Sequence, residues 1–345
     1  MKNLYLITAW LFFTSAYSQC PSGTITISSQ SQIDSFAATY PGCTGVTGDI
    51  FISGNNITSL DGLSQITTVG GQLTVYLCPN LTNLNGLQNI STINTVSIQN
   101  NNNLTSLAGL QGLTTLSYVL GIVGNPLINN LNGLQQLTSV GGYINISGNG
   151  ITSVEGLNNL QTIGSRLDME NNYNLTSLSA FMNLTSIGGS ILIKNSPLLQ
   201  TLSGLDNINP QTIDTVNISN CTSLSFCSVA SICNFLLNIG GGTFANNLPG
   251  CNNGTEISNV CNLGTEDLNA GKFAVTPNPT TDFLYITASD NAQATNFIVS
   301  DLSGKIILDA QNRDNKIDVS HLSNGLYILS IIGDRATSKI KFVKK

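Results

Sequence analysis

The stretch Val96-Ser-Ile98-Gln-Asn100, followed by Leu104-Thr-Ser-Leu107-Ala-Gly109-Leu110, decides how this chain folds, because it recurs. Leucine or valine returns at positions 60, 84, 107, 131, 154, 178 and 202, at intervals of 24, 23, 24, 23, 24 and 24 residues. A Gly-Leu pair follows two residues later at Gly62-Leu63, Gly86-Leu87, Gly109-Leu110, Gly133-Leu134, Gly156-Leu157 and Gly204-Leu205; the sixth copy has Ala180-Phe181 instead. A fixed period of this size signals a solenoid.

Each copy opens on an alternating apolar pair: Ile50/Ile52, Leu73/Val75, Val96/Ile98, Leu120/Ile122, Ile144/Ile146, Leu167/Met169, Ile191/Ile193 and Val216/Ile218. Alternation at period two predicts a short strand with one face inward. Asparagine follows the strand at Asn100, Asn171, Asn195 and Asn220. It tolerates left-handed backbone, and stacked amides can bond one another as a ladder. One copy buries about five apolar side chains, at about 1.5–3 kcal/mol each. Ordering its backbone costs about 1–2 kcal/mol per residue over roughly two dozen residues. A copy cannot fold alone, so neighbours must stack in register and form one long parallel sheet. The Leu-x-Gly-Leu corner and the glycines that follow, as in Val140-Gly-Gly142, supply further inward side chains and tight turns.

The repeats occupy residues 48–220, flanked by segments of different composition. Lys2, the apolar run Leu4 to Phe13 and the small residues Ala16-Tyr17-Ser18 read as a secretory signal over 1–18, with cleavage after Ser18. Residues 19–47 read as an N-terminal cap, with a strand at Thr24–Ile27, one helix from Ser31 to Tyr40, and Cys20 tied to Cys43. Residues 221–261 read as a cysteine-rich C-terminal cap with a helix from Ser228 to Leu237. One arrangement there pairs Cys227 with Cys251 and Cys233 with Cys261, but four half-cystines allow three pairings and spacing does not choose between them. Cys78 and Cys221 share a column six turns apart, about 29 Å at strand spacing, so they cannot meet and Cys78 is expected as a free thiol. Residues 262–271 read as a linker. Beyond it the period is lost. Strands at Phe283–Thr287, Asn296–Ser300, Lys305–Asp309, Gly325–Ile332 and Ser338–Val343, with turn signals between them, predict a small antiparallel β-sandwich over 272–345. The expected fold is therefore mainly β: a parallel β-solenoid with disulfide caps, then a sandwich.

Only 9% of residues are charged and the formal net charge is −6, which leaves no electrostatic footprint for nucleic acid. Nine of the twelve Lys/Arg lie from Lys272 onward. No histidine lies in the repeats, which disfavours zinc at the cysteines, and no cofactor or metal is expected. The sole histidine, His321, sits beside Asp318 and Ser320, but a hydrolytic triad needs residues that the fold brings together rather than chain neighbours. Asn312 to Asp318 lacks the turn glycine of a calcium loop and reads as a hairpin. Asp168 and Glu170 point outward from one strand as a carboxylate pair, with no sign of the burial that would raise either pKa, so a solvated face is expected. The outward face is mixed, and Tyr76, Gln99, Asn145, Asp168, Glu170 and Lys194 are its candidate ligand residues. Trp10, the only tryptophan, leaves with the signal segment, which counts against sugar stacking.

The Ile-x-Ile strands, Leu-x-Gly-Leu corners and trailing Val-Gly-Gly resemble the leucine-rich-repeat-like turns of receptor L domains, found in growth-factor-receptor ectodomains and fungal wall proteins. The resemblance covers about 43–225 and implies the solenoid fold. The C-terminal residues resemble a type IX secretion sorting domain of Bacteroidetes. The matching residues are Pro277-Asn278-Pro279, Asp301-Leu-Ser-Gly304-Lys305, Leu322-Ser-Asn-Gly325-Leu-Tyr327 and the basic end from Lys339 to Lys345. This resemblance implies the secretion machinery as a partner of residues 272–345, passage through the periplasm, and a cargo released or held at the outer-membrane surface. The function expected is a non-enzymatic, exported protein for protein or glycan binding or adhesion. The alternatives are a structural surface or matrix protein without a specific ligand and, more remotely, a polysaccharide-acting enzyme.

Overall fold

The computed structural model describes residues 20–269, 273–288, 293–301, 305–311, 314–333 and 337–345. The signal segment 1–18, the linker residues 270 and 271, and Gly304 of the sorting motif lie outside the described residues. The chain divides into two compact units, Met1–Ile257 and Ser258–Lys345.

In the first unit, coils stack through a parallel sheet. Its main path runs, in chain order, through Ile25–Ile27, Ile50–Ile52, Thr68–Tyr76, Thr92–Gln99, Val119–Val123, Ile144–Ser147, Leu167–Glu170, Ser190–Lys194, Thr215–Ser219 and Gly242–Ala245. Gly45–Val46 adds an eleventh strand against the start of Thr68–Tyr76. Register is one coil per step: Ile98 pairs with Val75 on one side and Ile122 on the other, and Ile122 with Ile146. Met169 pairs with Ile193, and Ile193 with Ile218. These side chains are 0% exposed, as are the leucine or valine at positions 60, 84, 107, 131, 154, 178 and 202. The apolar files are therefore shared between coils, as the stacking argument requires.

A second, smaller parallel sheet was not expected. Thr115–Leu116, Ser139–Val140, Thr162–Ile163 and Ser186–Ile187 pair at the next corner of each coil. Two glycine positions show what the corners demand. Gly133 has φ +117°, and a Cβ there would strike the carbonyl oxygen of Leu107 in the preceding coil. Gly141 is not left-handed, but a Cβ on it would meet the carbonyl of Ser117, so there glycine supplies room rather than rotation.

Both caps differ from expectation in the same way: each contributes a strand to the main sheet. Ile25–Ile27 pairs in register with Ile50–Ile52, and Gly242–Ala245 pairs with Thr215–Ser219. The single N-terminal helix is two short helices, Gln30–Asp34 and Phe36–Thr39, with Ser35 between them. Ser29 and Gln32 form a reciprocal capping box at the start of the first. The C-terminal cap helix spans Ala230–Asn238, and a further helix, Gly254–Asn269, runs through most of the segment read as a linker. Disulfides Cys20–Cys43 and Cys227–Cys251 close the two ends, with Cα separations of 4.9 and 5.5 Å. Cys233 and Cys261 are also disulfide-bonded, whereas Cys78 and Cys221 are free and buried.

The expected asparagine ladder forms, but in two columns. From Thr68–Tyr76 onward the residue after each main-sheet strand is left-handed: Leu77, Asn100, Gly124, Gly148, Asn171, Asn195, Asn220 and Asn246 have φ between 52° and 67°. On the outside, the amide of Asn195 donates to Asn171 (2.7 Å), Asn220 to Asn195 (2.9 Å) and Asn246 to Asn220 (2.8 Å). Asn100 stands apart from this column, because the next coil has Gly124 in its place. The left-handed turn aims the following residue inward, and there Asn101, Asn125, Asn149 and Asn172 form a buried column. Each accepts from the backbone N–H of its counterpart one coil earlier: Cys78 to Asn101 (2.9 Å), Asn101 to Asn125 (3.0 Å), Asn125 to Asn149 (3.1 Å) and Asn149 to Asn172 (3.2 Å). Each also donates to a strand carbonyl of the earlier coil, as Asn125 does to Ile98 (3.0 Å). The corner leaves these backbone groups without sheet partners inside an apolar core, where an unmade bond is costly. The side-chain amide replaces the missing strand.

The second unit is antiparallel. Phe273–Thr276, Phe283–Ala288 and Lys316–Asp318 form one sheet; Ile306–Gln311, Ala294–Ser300, Gly325–Gly333 and Thr337–Lys344 form the other. Phe273, Leu284, Phe297, Val299, Ile317, Leu329, Ile331 and Phe342 share one core. Phe273–Thr276 and Lys316–Asp318 were not expected. Instead of closing a hairpin, the chain leaves Ile306–Gln311 in one sheet and enters Lys316–Asp318 in the other, with Asn315 left-handed before it.

Replacing Asn125 with alanine strands buried groups on two coils. We expect Asn125→Ala to destabilise the coil stack by about 2–4 kcal/mol, measured as a lowered urea midpoint, while Asn100→Ala, on the outer column's interruption, costs far less.

Candidate functional site: an outward sheet face and a sorting domain

Side chains alternating with the inward files project onto the outer face of the long sheet. They are half-buried rather than free, because strands about 4.8 Å apart pack each side chain against its neighbours in adjacent coils. Of the six candidate ligand residues, the fold brings together three pairs. Tyr76 lies opposite Gln99, Asn145 opposite Asp168, and Glu170 opposite Lys194. The strand Val119–Val123, with Gly121 at its centre, separates the first pair from the other two.

At the N-terminal end the rings of Phe51 and Tyr76 lie side by side, centroids 6.4 Å apart and tilted by 42°. They border an open cleft of about 510 Å³ that also takes in Asp49, Gln72, Thr74 and Gln99. Asp49 Oδ1 accepts from the Gln72 backbone N–H at 2.8 Å. Gln72 Nε2 donates to Thr74 Oγ1 at 2.6 Å, and Gln99 Nε2 to Ser97 Oγ at 2.5 Å. Asp49, Gln72 and the first-coil Thr24 and Thr26, which also line the cleft, were not among the expected face residues. The Thr24-Ile25-Thr26-Ile27 alternation was the available signal, since it matches the pattern of every later coil.

Further along, charge replaces aromatic surface. The Arg166 guanidinium lies 5.0 Å over the Tyr143 ring and 3.9 Å from Asp168 Oδ2. Lys194 Nζ contacts Glu170 Oε1 at 3.1 Å. The solvated carboxylate pair expected here is not what forms. Asp168 is 14% exposed in its side chain, and its Oδ1 is buried with no hydrogen-bond partner among the described residues. Burial, and secondarily Glu170, push the Asp168 carboxyl above its ordinary value; Arg166 and Lys194 pull the other way without cancelling this. Burial likewise raises the Cys78 and Cys221 thiols, whose sulfurs sit in the interior column. Asp318 forms a small turn instead, accepting from the Ser320 hydroxyl (2.6 Å) and N–H (2.9 Å). The Ser320 hydroxyl first, then its N–H, hold the exposed Asp318 carboxyl below its usual value.

Because the folded pKa of Asp168 is raised, its ionised form costs stability at neutral pH, and the cost disappears once the pH falls below the ordinary aspartate value of 3.8. Asp168→Asn is therefore expected to stabilise the protein at pH 7, with the advantage shrinking to nothing as the pH falls through that value. Paired denaturation curves at the two pH extremes check it; a gain that grew on acidification would contradict the assignment.

In the second unit Asn278, Thr280, Gly325 and Tyr327 meet on the last strand. Thr276-Pro277 and Asn278-Pro279 are both cis. Between them Asn278 clamps the strand Thr337–Lys344: its Nδ2 donates to the Lys341 carbonyl (2.8 Å) and its Oδ1 accepts from the Val343 N–H (3.0 Å). Thr280 continues the seam, donating to Val343 and accepting from Lys345. Asp301 and Lys305 close their turn through the Lys305 N–H on the Asp301 carboxylate (3.1 Å). Gly325 opens the strand Gly325–Gly333, two residues before Tyr327. Tyr327 stacks on Phe342 (5.7 Å) and donates to the Ser323 carbonyl (2.9 Å).

No curated protein matches the chain. Residues 274–345 match the family model described as the secretion system C-terminal sorting domain. The chain therefore carries a type IX secretion sorting domain, and the protein is exported to the cell surface or beyond it.

Proposed function

We propose that the exported part is a non-enzymatic recognition or adhesion protein. In this reading its coils are leucine-rich-repeat-like, of the receptor L-domain kind, and its outward sheet face carries the ligand, a protein or glycan. The observation that supports it is the face itself: one continuous parallel sheet holds half-buried aromatic, amide and charged side chains on strands, where packing limits their rotamers. Solenoids offer extended surfaces of this kind for binding. The sorting domain delivers the face to where an extracellular ligand would be met.

Cells carrying Tyr76→Ala, Glu170→Ala and Lys194→Ala together should show the protein outside at normal level and lose most of their attachment to the surface or partner cells they colonise. Undiminished attachment would favour a filler of the surface layer and end the recognition reading. Removal of residues 272–345 should leave the solenoid in the periplasm, read by fractionation and immunoblotting; display at the normal level without those residues would show that export runs by another route.

A further inference from the structure

The cleft at the N-terminal end of the sheet differs in chemistry from the rest of the face. We propose that this cleft, bordered by Phe51 and Tyr76 and furnished by Asp49, Gln72, Thr74 and Gln99, binds a neutral hexose unit of a glycan. The proposal rests on the recognition reading above and names the ligand class and its subsite.

Three observations carry it. The first is the aromatic surface. Phe51 and Tyr76 are outward residues of neighbouring strands, half-buried, with tilted rings 6.4 Å apart. Ring faces carry negative partial charge and attract the weakly positive C–H face of a sugar ring, and their apolar area adds to this. The two rings supply the platform that the lost tryptophan does not.

The second is hydrogen-bond polarity. Gln72 and Gln99 each donate one amide N–H, to Thr74 and Ser97, which orients the amide and leaves its oxygen and its second N–H to face a ligand. Asp49 Oδ1 is held by the Gln72 N–H, while Oδ2 has only a long contact of 3.5 Å from the Thr24 hydroxyl. The lining thus offers acceptors and donors side by side, held in place by bonds among themselves. A ligand that satisfies it must bring groups that both donate and accept at close spacing, as vicinal sugar hydroxyls do; unmatched polar groups in such a site penalise a ligand without them.

The third is charge. Among the described residues the cleft holds one carboxylate, and neither lysine nor arginine lines it. A uronate, sulfate or phosphate would meet repulsion without a counter-charge. The size, about 510 Å³, lies within the range of small-ligand sites. A peptide fits less well. Beneath Phe51, Thr74 and Gln99 the backbone groups are already paired between strands, so strand addition is closed to a peptide lying across the two rings.

The test uses the full chain recovered from the medium, immobilised and titrated with soluble neutral polysaccharides (laminarin, mannan, galactan, dextran) and with polygalacturonate and alginate as acidic counterparts. At least one neutral glycan should bind, and the acidic ones should not bind at this cleft. Tyr76→Ala and Phe51→Ala should each weaken that binding about tenfold or more, the equivalent of about 1.4 kcal/mol. Tyr76→Phe should keep it within about threefold, because the ring remains. Tyr118→Ala, which removes an exposed ring outside the cleft's lining, should leave it unchanged. Both rings are outside the core, so thermal midpoints should match the parent, and this separates lost binding from lost folding. Failure of every neutral glycan, or binding untouched by Tyr76→Ala and Phe51→Ala, overturns the proposal. If the glycans fail while the triple face variant still abolishes attachment, only the ligand class falls; if the triple variant also attaches normally, the recognition reading falls with it.

Discussion

Hydrogen bonding from coil to coil is the constraint on which the rest of the structure depends. A coil of 23 or 24 residues cannot enclose its own core, and its strand has no partner within itself. Parallel pairing to the coils before and after supplies both. Once Ile98 is in register with Val75 and Ile122, the inward files, the corner glycines and the outward face all inherit that register. The difficulty arises where the chain turns out of the strand. There the backbone still points its groups at the neighbouring coil but no longer lies parallel to it. The buried column of Asn101, Asn125, Asn149 and Asn172 repairs this break. Each amide does the work of one peptide group, accepting and donating in the strand's place. Cys78 and Cys221 occupy the same column, where sulfur makes weak contacts with carbonyls at 3.6 to 3.9 Å.

The same register gives the outer face its character. Stacking places equivalent outward residues side by side, so small differences between repeats become local environments. Phe51 beside Tyr76 makes an aromatic platform, and Arg166, Asp168, Glu170 and Lys194 make a charged cluster. With few charges anywhere in the coils, these two places hold most of the face's chemical individuality. The disulfides Cys20–Cys43 and Cys227–Cys251 secure the terminal coils, which lack a neighbour on one side. In the sorting domain, Asn278 performs a related service: its amide bonds both ways to the strand Thr337–Lys344, tying the Pro-Asn-Pro turn to it.

Much of this was legible in the residues. Period-two alternation at Ile144/Ile146 or Ile191/Ile193 identifies strand and inward face at once, since a strand has only two sides. The Cys20–Cys43 pairing followed from its place at the end of the array. Where reading failed, it failed at boundaries. Residues 20–47 and 221–261 were set apart as caps because their cysteines and helices break the period. Backbone pairing, however, does not depend on side-chain pattern, so Ile25–Ile27 and Gly242–Ala245 join the sheet all the same. The small corner sheet escaped for a similar reason: strands two residues long carry no periodicity to detect.

The asparagines mark the division most clearly. The repeat by itself determined that they stack, because identical spacing must bring them into one column. Which column is buried was decided only by the fold. A left-handed φ at Asn171 sends its side chain outward and turns Asn172 in, and adjacent asparagines carry no sequence label for that difference. Asp168 is the same case. Alternation places it outward, but its exposure depends on what Asn145, Leu192 and Arg166 put around it. Sequence period determines the direction of a side chain along one strand; the dielectric it meets, and hence the direction in which its pKa moves, is set by neighbours that are a whole coil away.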